Sequence, residues 1–163
     1  MGKVILIGAT KGGVGKSVSS YNLAYSLASF GKKVLAVDLD SQANLTTCFG
    51  VEDTAAVPIT IGHLMMAQME DEKLPDPAEY IMNRNGVGFI PSSMILSAVD
   101  AKLRLEMGAE RMLANIIEPL RDSYDYLIID TCPALGALTI NALVAADSVV
   151  VTVNLQLLAM MGL

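Results

Sequence analysis

The stretch Lys3-Val4-Ile5-Leu6-Ile7-Gly8-Ala9-Thr10-Lys11-Gly12-Gly13-Val14-Gly15-Lys16-Ser17 decides the fold. Lys3–Gly8 is a short continuous apolar run, the pattern of a strand covered on both faces. From Ser17 to Phe30, Tyr21, Ala24, Tyr25, Leu27 and Ala28 recur at helical spacing, and Gly31 sits where a helix C-cap belongs. The glycines between strand and helix let the backbone wrap closely and turn several N–H groups inward. With the helix N-terminus behind it, such a loop cradles phosphate. Lys16 then reaches the terminal phosphates and the Ser17 hydroxyl ligates Mg²⁺. The bland alternative, a glycine-rich surface turn, does not account for two lysines and a serine at this spacing.

Outward from this point the chain alternates strand and helix. Lys33–Leu39 (KVLAVDL) reads as a second buried strand that delivers Asp38 and Asp40 at its carboxyl end. Thr60–Met69 reads as a helix, Glu70–Asp76 as a surface loop, Val87–Pro91 as a short strand and Met94–Leu105 as a helix. Gly108 marks a break before an amphipathic helix over Ala109–Leu120. Tyr126–Asp130 (YLIID) is a strand ending in an acid, Leu135–Ala146 a nearly uncharged buried helix, and Ser148–Val153 another buried strand. Such alternation predicts an α/β fold, a three-layer αβα sandwich around a mostly parallel sheet. Ligands bind such sheets at the carboxyl ends of the strands, where the glycine loop, the Asp38/Asp40 pair and Asp130 converge. The two acids after the second strand have a plainer reading, in which they only cap a helix beginning near Asn44.

Composition narrows the rest. The 163 residues suit one domain, and 53% hydrophobic against 17% charged residues gives ample core with little polar surface. A net charge of −6 argues against an autonomous nucleic-acid binder. Cys48 and Cys132 are far apart and form no metal-binding or disulfide pattern, so a reducing cytoplasm is the simplest setting. His63 lacks a second histidine and reads as structural, and the Met65-Met66 and Met160-Met161 pairs read as core packing. No unbroken apolar run reaches the ~18 residues of a membrane span.

The loop departs from the usual phosphate-loop pattern, since Thr10 stands where the first glycine is normal. KGGVGKS resembles the deviant Walker A motif of the ParA/MinD family of P-loop ATPases. The resemblance continues in Asp38-Leu39-Asp40-Ser41-Gln42-Ala43-Asn44, similar to the family's DxDPQxN segment with Ser41 replacing proline. It continues in Asp130–Gly136, similar to DTPPSLG with Cys132 replacing a proline, and in NALVAADSVVV over Asn141–Val151. These segments favour the ParA/Soj branch over MinD and over the nitrogenase iron protein.

The resemblance implies a single P-loop ATPase domain over 1–163, lacking the C-terminal third usual in the family. It implies ATP and Mg²⁺ as cofactors. The cradle would be Lys11, Gly12, Gly13, Val14, Gly15, Lys16, Ser17 and Val18. Lys11, Lys16 and Asp40 would be catalytic, with Lys11 sensing the nucleotide of a dimer partner and Asp40 orienting the attacking water. Ser17, Asp38 and Asp130 would hold the metal. The implied role is an ATP-dependent homodimerising switch for plasmid or chromosome partitioning, with a ParB-type partner. Non-specific DNA binding would depend on the basic C-terminal region. Two alternatives stand beside it: a MinD-like positioning ATPase, and an inactive nucleotide-binding fragment that serves only for oligomerisation. The missing third is expected to leave apolar surface on Val149–Val153, covered by another chain or by a rearranged C-terminal segment.

Overall fold

A computed structural model describes residues 1–9, 11–106 and 108–153. Thr10, the Met160-Met161 pair and the rest of the terminal segment singled out in the sequence lie outside the described residues. The strands are β1 (Lys3–Gly8), β2 (Val34–Leu39), β3 (Met82–Arg84), β4 (Val87–Ile90), β5 (Tyr126–Thr131) and β6 (Ser148–Val151). The α-helices are α1 (Lys16–Ser29), α2 (Asn44–Cys48), α3 (Ile61–Met69), α4 (Pro77–Tyr80), α5 (Ile95–Leu103), α6 (Met112–Ile117) and α7 (Ala137–Ala145). The strands form one sheet in the order β3-β4-β2-β5-β1-β6, parallel except for the β3–β4 hairpin.

Strand alternation divides the core into two apolar layers. Val4 and Leu6, Leu35 and Val37, and Leu127 and Ile129 pack with residues of α3, α5, α6 and α7 on one face. Ile7, Val34, Ala36 and Ile128 face the other way, against Ala24 of α1 and Leu45 of α2. Asp38 and Asp130 are register partners on β2 and β5. By the same alternation they project toward α1 and α2, and this places the acidic end of the sheet beneath the two helices that follow the glycine loop and the Asp40 turn.

Four features differ from the sequence reading. The β3–β4 hairpin turns at Asn85-Gly86 with φ of 52° and 78°. That pair is a strong two-residue turn signal flanked by strand residues. The continuous helix over Ala109–Leu120 is instead a 3₁₀ turn (Ala109–Arg111), α6, and a 3₁₀ segment (Glu118–Ser123). Pro119 has no N–H to donate back along an α-helix, so the α-helical ladder stops before it. The last strand is not buried: Val149, Val150 and Val151 are 47%, 45% and 52% exposed, because among the described residues β6 is the sheet's edge. For the same reason α7 is only half covered, burying Leu138, Ala142 and Ala145 while Ile140, Leu143 and Val144 stay accessible. The apolar surface expected on Val149–Val153 is therefore present.

The base of the sheet is tied by Asp147, whose carboxylate accepts from Val4 N at 2.8 Å and from Arg121 Nη2 at 2.6 Å. Arg121 also donates from Nε to the Gly2 carbonyl at 3.0 Å. His63 does have a structural role: its Nδ1 accepts from the Thr60 N–H at 3.1 Å and completes a capping box at the start of α3.

Candidate functional site

The glycine loop leaves β1 and enters α1 through Gly15, which has φ of 81°, with Gly13 at 73°. Side chains rarely adopt such angles, so these two glycines are required by the backbone itself. An added Cβ at Gly12, Gly13 or Gly15 would meet nothing within 4 Å, so the loop faces open space rather than packed protein. It borders a cleft of about 460 Å³ lined by Gly12, Gly13, Gly15, Lys16, Ser17 and Val18 on one side and by Asp40, Gln42, Asn44 and Thr47 on the other. Lys16 is 8% exposed.

Asp130 is fully buried, one hydrogen bond behind Ser17 of the cleft lining. Its Oδ2 accepts from Ser17 Oγ at 2.6 Å and its Oδ1 from Ser20 Oγ at 2.8 Å. Burial pushes its carboxyl pKa up, against the two serine hydroxyls and the Lys16 charge, which favour the ionised form; nearby Asp40 adds to the upward push. Ser20 was not singled out in the sequence. The signal was its place one helical turn after Ser17, on the same face of α1.

Asp40 is buried at 5% exposure yet borders the cleft. Its Oδ1 accepts from Gln42 N at 3.0 Å, and its carbonyl from Ala43 N at 2.9 Å. The turn passes through Ala43 at φ 53°, a left-handed conformation for a residue with a side chain.

Asp38 is tied to the start of α2. Its Oδ2 accepts from both the N–H and the Oγ1 of Thr46 at 2.7 Å, and its Oδ1 from Asp40 N at 3.2 Å. It does not border the cleft. Burial, aided by the charge of Asp130, pushes its pKa up to about 7 in spite of the three donors. Asp38 thus caps the first turn of α2 from a distance in sequence, as the plainer reading of the acidic pair had it, and Asp40 alone of the pair borders the cleft.

Lys11 and Val14 border a second cavity, of about 190 Å³, between the loop, α7 and β6, which Cys132, Pro133 and Leu135 also line. Lys11 itself is exposed. Pro133 borders both cavities. Among the described residues, no three His, Cys, Asp or Glu side chains are grouped to hold a metal by themselves. The Ser17 hydroxyl and the Asp130 carboxylate form an oxygen pair that suits a hard divalent cation whose other ligands are phosphate oxygens and water.

Residues 2–163 match a family described as an AAA domain, AAA_31. The sporulation initiation inhibitor protein Soj of Bacillus subtilis is 39% identical over 163 residues, covering all of this chain and 62% of Soj. Cobyrinic acid a,c-diamide synthase from Mycobacterium smegmatis, solved with bound ADP and magnesium, superposes with a TM-score of 0.90 at 30% identity, covering 100% of this chain and 64% of that one. A plasmid partition protein from Borrelia burgdorferi superposes with a TM-score of 0.81 at 30% identity, covering 99% and 70%. The chain spans about three fifths of the length of Soj and of the synthase. On the match that runs almost end to end, the chain belongs to the AAA domain family, and its P-loop NTPase fold carries a Soj- and ParA-like sequence.

Proposed function

We propose that residues 1–163 form a P-loop domain that binds ATP with Mg²⁺ and hydrolyses it as a dimerising switch of the partitioning type. The observation that carries this reading is the facing of two groups across one cleft: the glycine loop with Lys16 and Ser17, and the Asp40 turn. The binding of ADP and magnesium by the M. smegmatis synthase, at this degree of structural likeness, supports the choice of ligand.

The division of labour follows from position. Loop N–H groups and the α1 N-terminus would hold the phosphates, and Lys16 would neutralise charge that builds up on them during transfer. Ser17 and Asp130 would hold the cation, with Ser20 fixing the far oxygen of Asp130. Magnesium, when bound, would offset the negative charge of the phosphates. Asp40 would orient a water in line with the terminal phosphorus. The water oxygen would bond to that phosphorus as the bond to the bridging oxygen breaks, so that ADP leaves with the electron pair and the water's protons leave on the new phosphate. Asp38 in this account holds no metal.

Lys11 is exposed beside β6 and α7, where a second copy of the chain could receive it. This supports its role as the lysine that senses a partner's nucleotide. Partitioning of DNA with a ParB-type partner is the role proposed on the family resemblance, and the likeness to a plasmid partition protein supports it. No helix among the described residues is long and apolar enough to cross a membrane. A second reading, a module that only pairs with other chains, draws on the half-exposed valines of β6.

ATP binding separates the two readings. The wild-type chain should bind ATP in the presence of Mg²⁺, and Lys16→Ala should lose that binding while keeping its fold. Equal binding by the two proteins, or none by the wild type, would reject the nucleotide reading.

A further inference from the structure

We propose that Thr46 is a positioning residue for Asp40, through a buried hydrogen-bond chain that runs from β4 to the cleft by way of α2 and Asp38. This rests on reading Asp40 as the group that orients the attacking water. Thr46 is fully buried and does not border the cleft. Its Oγ1 donates to Asp38 Oδ2 at 2.7 Å and accepts from Ser92 N at 2.9 Å, just past the end of β4. Its own N–H donates to the same Asp38 oxygen at 2.7 Å. The other Asp38 oxygen accepts from the backbone N–H of Asp40 at 3.2 Å. Each hydrogen bond in the series is therefore made by a distinct donor, and the Thr46 hydroxyl uses its proton and a lone pair at once.

This chain explains how a short turn can hold a carboxylate in place. Between Asp40 and α2 the backbone passes through the left-handed Ala43, and α2 is only five residues long. Neither feature is stable alone: the left-handed alanine is unfavourable and a helix of this length does not persist by itself. The anchor on Asp38 ties the first turn of α2 to β2, and the Ser92 N–H ties it to β4. With both ends of the turn fixed to strands of the sheet, the Asp40 carboxylate is fixed as well. Because reactions of this type depend on placement of the water, a small displacement of Asp40 lowers turnover more than it lowers nucleotide binding.

Thr46→Val keeps the shape and removes the hydroxyl, and Thr46→Ser keeps the hydroxyl and removes the methyl. We expect Thr46→Val to lower kcat for ATP hydrolysis ~10- to 100-fold with less than about a threefold change in KM. Thr46→Ser should stay within about threefold of wild type in both. In the ligand-free chain, Thr46→Val should speed amide exchange at Asp40, Gln42 and Ala43 at least ~10-fold while β1 and β5 stay protected. Equal kcat in Thr46→Val and wild type, or equal losses in Val and Ser, would overturn the proposal. If the wild type shows no turnover, the assignment of Asp40 fails on its own account. The exchange data then decide whether Thr46 positions the turn, unchanged exchange in Thr46→Val refuting it.

Discussion

Asp38→Asn should stabilise this protein far more at pH 8 than at pH 5. The carboxyl of Asp38 is 1% exposed, and burial raises its pKa from 3.8 to about 7 in the folded state. Below pH 3.8 both folded and unfolded chains hold the proton. Between 3.8 and about 7 only the folded chain holds it, so stability falls as pH rises through this window. Above about 7 both states are ionised and the loss is complete. At ~1.4 kcal/mol per pKa unit, the buried charge costs roughly 4 kcal/mol at pH 8. An asparagine avoids this cost and can still accept from Thr46 through its carbonyl oxygen. Its amide nitrogen cannot accept from Asp40 N, which gives back ~1 kcal/mol. Only ~1.6 of the ~4 kcal/mol has been lost by pH 5, so the variant should gain roughly 3 kcal/mol at pH 8 and less than about 1 kcal/mol at pH 5. Urea unfolding of both proteins at the two pH values measures the difference, which also cancels the parallel contribution of Asp130. A variant less stable than wild type at pH 8, or the same difference at both pH values, would refute the reasoning. A gain at pH 8 would show that the protein sacrifices stability to keep a charge that secures the Asp40 turn.

Three other changes test the packing that holds the site. Asn141 is buried on α7, its Oδ1 accepting from Leu113 N at 3.1 Å and its Nδ2 donating to the Ala109 carbonyl at 2.9 Å; Asn141→Ala removes the acceptor of the Leu113 N–H, while the Ala109 carbonyl keeps the Met112 N–H, and should lower unfolding free energy by ~1–3 kcal/mol in urea titration. Gly2→Ala would place a Cβ 2.3 Å from the Tyr124 carbonyl oxygen, so the chain must shift, and calorimetry should show a loss of ~1–3 kcal/mol. Asp147 has its pKa lowered by the Val4 N–H and by Arg121, against a smaller desolvation effect; its contribution is present above 3.8 and is lost as pH falls through the lowered value. Because Asp147 is partly exposed, Asp147→Asn should cost no more than ~1 kcal/mol at pH 7 and less at pH 3, as read from denaturant midpoints.

Much of this was written in local sequence. Apolar runs with no alternation marked β1, β2 and β5 as strands covered on both sides, and KGGVGKS located the loop and the start of α1. What was not legible depended on direction and distance. Asp38 and Asp40 are two residues apart, so one strand-like stretch sends them to the same face, and only the fold shows that Thr46 claims Asp38 and leaves Asp40 to the cleft. Ser20 joins the site only because β5 delivers Asp130 beneath α1. The exposure of β6 followed from sheet order, which an apolar run does not encode. Asn85-Gly86 and Pro119, by contrast, were local signals whose consequences the pattern reading passed over.

The most direct test of the account is single-turnover hydrolysis of bound ATP with Mg²⁺ by the wild type and by Asp40→Ala. The account predicts that both bind ATP with affinities within about threefold, and that the alanine variant hydrolyses it at least ~100-fold more slowly. Equal rates in the two proteins would contradict the central claim, that the Asp40 turn facing the glycine loop is what makes this cleft a catalyst.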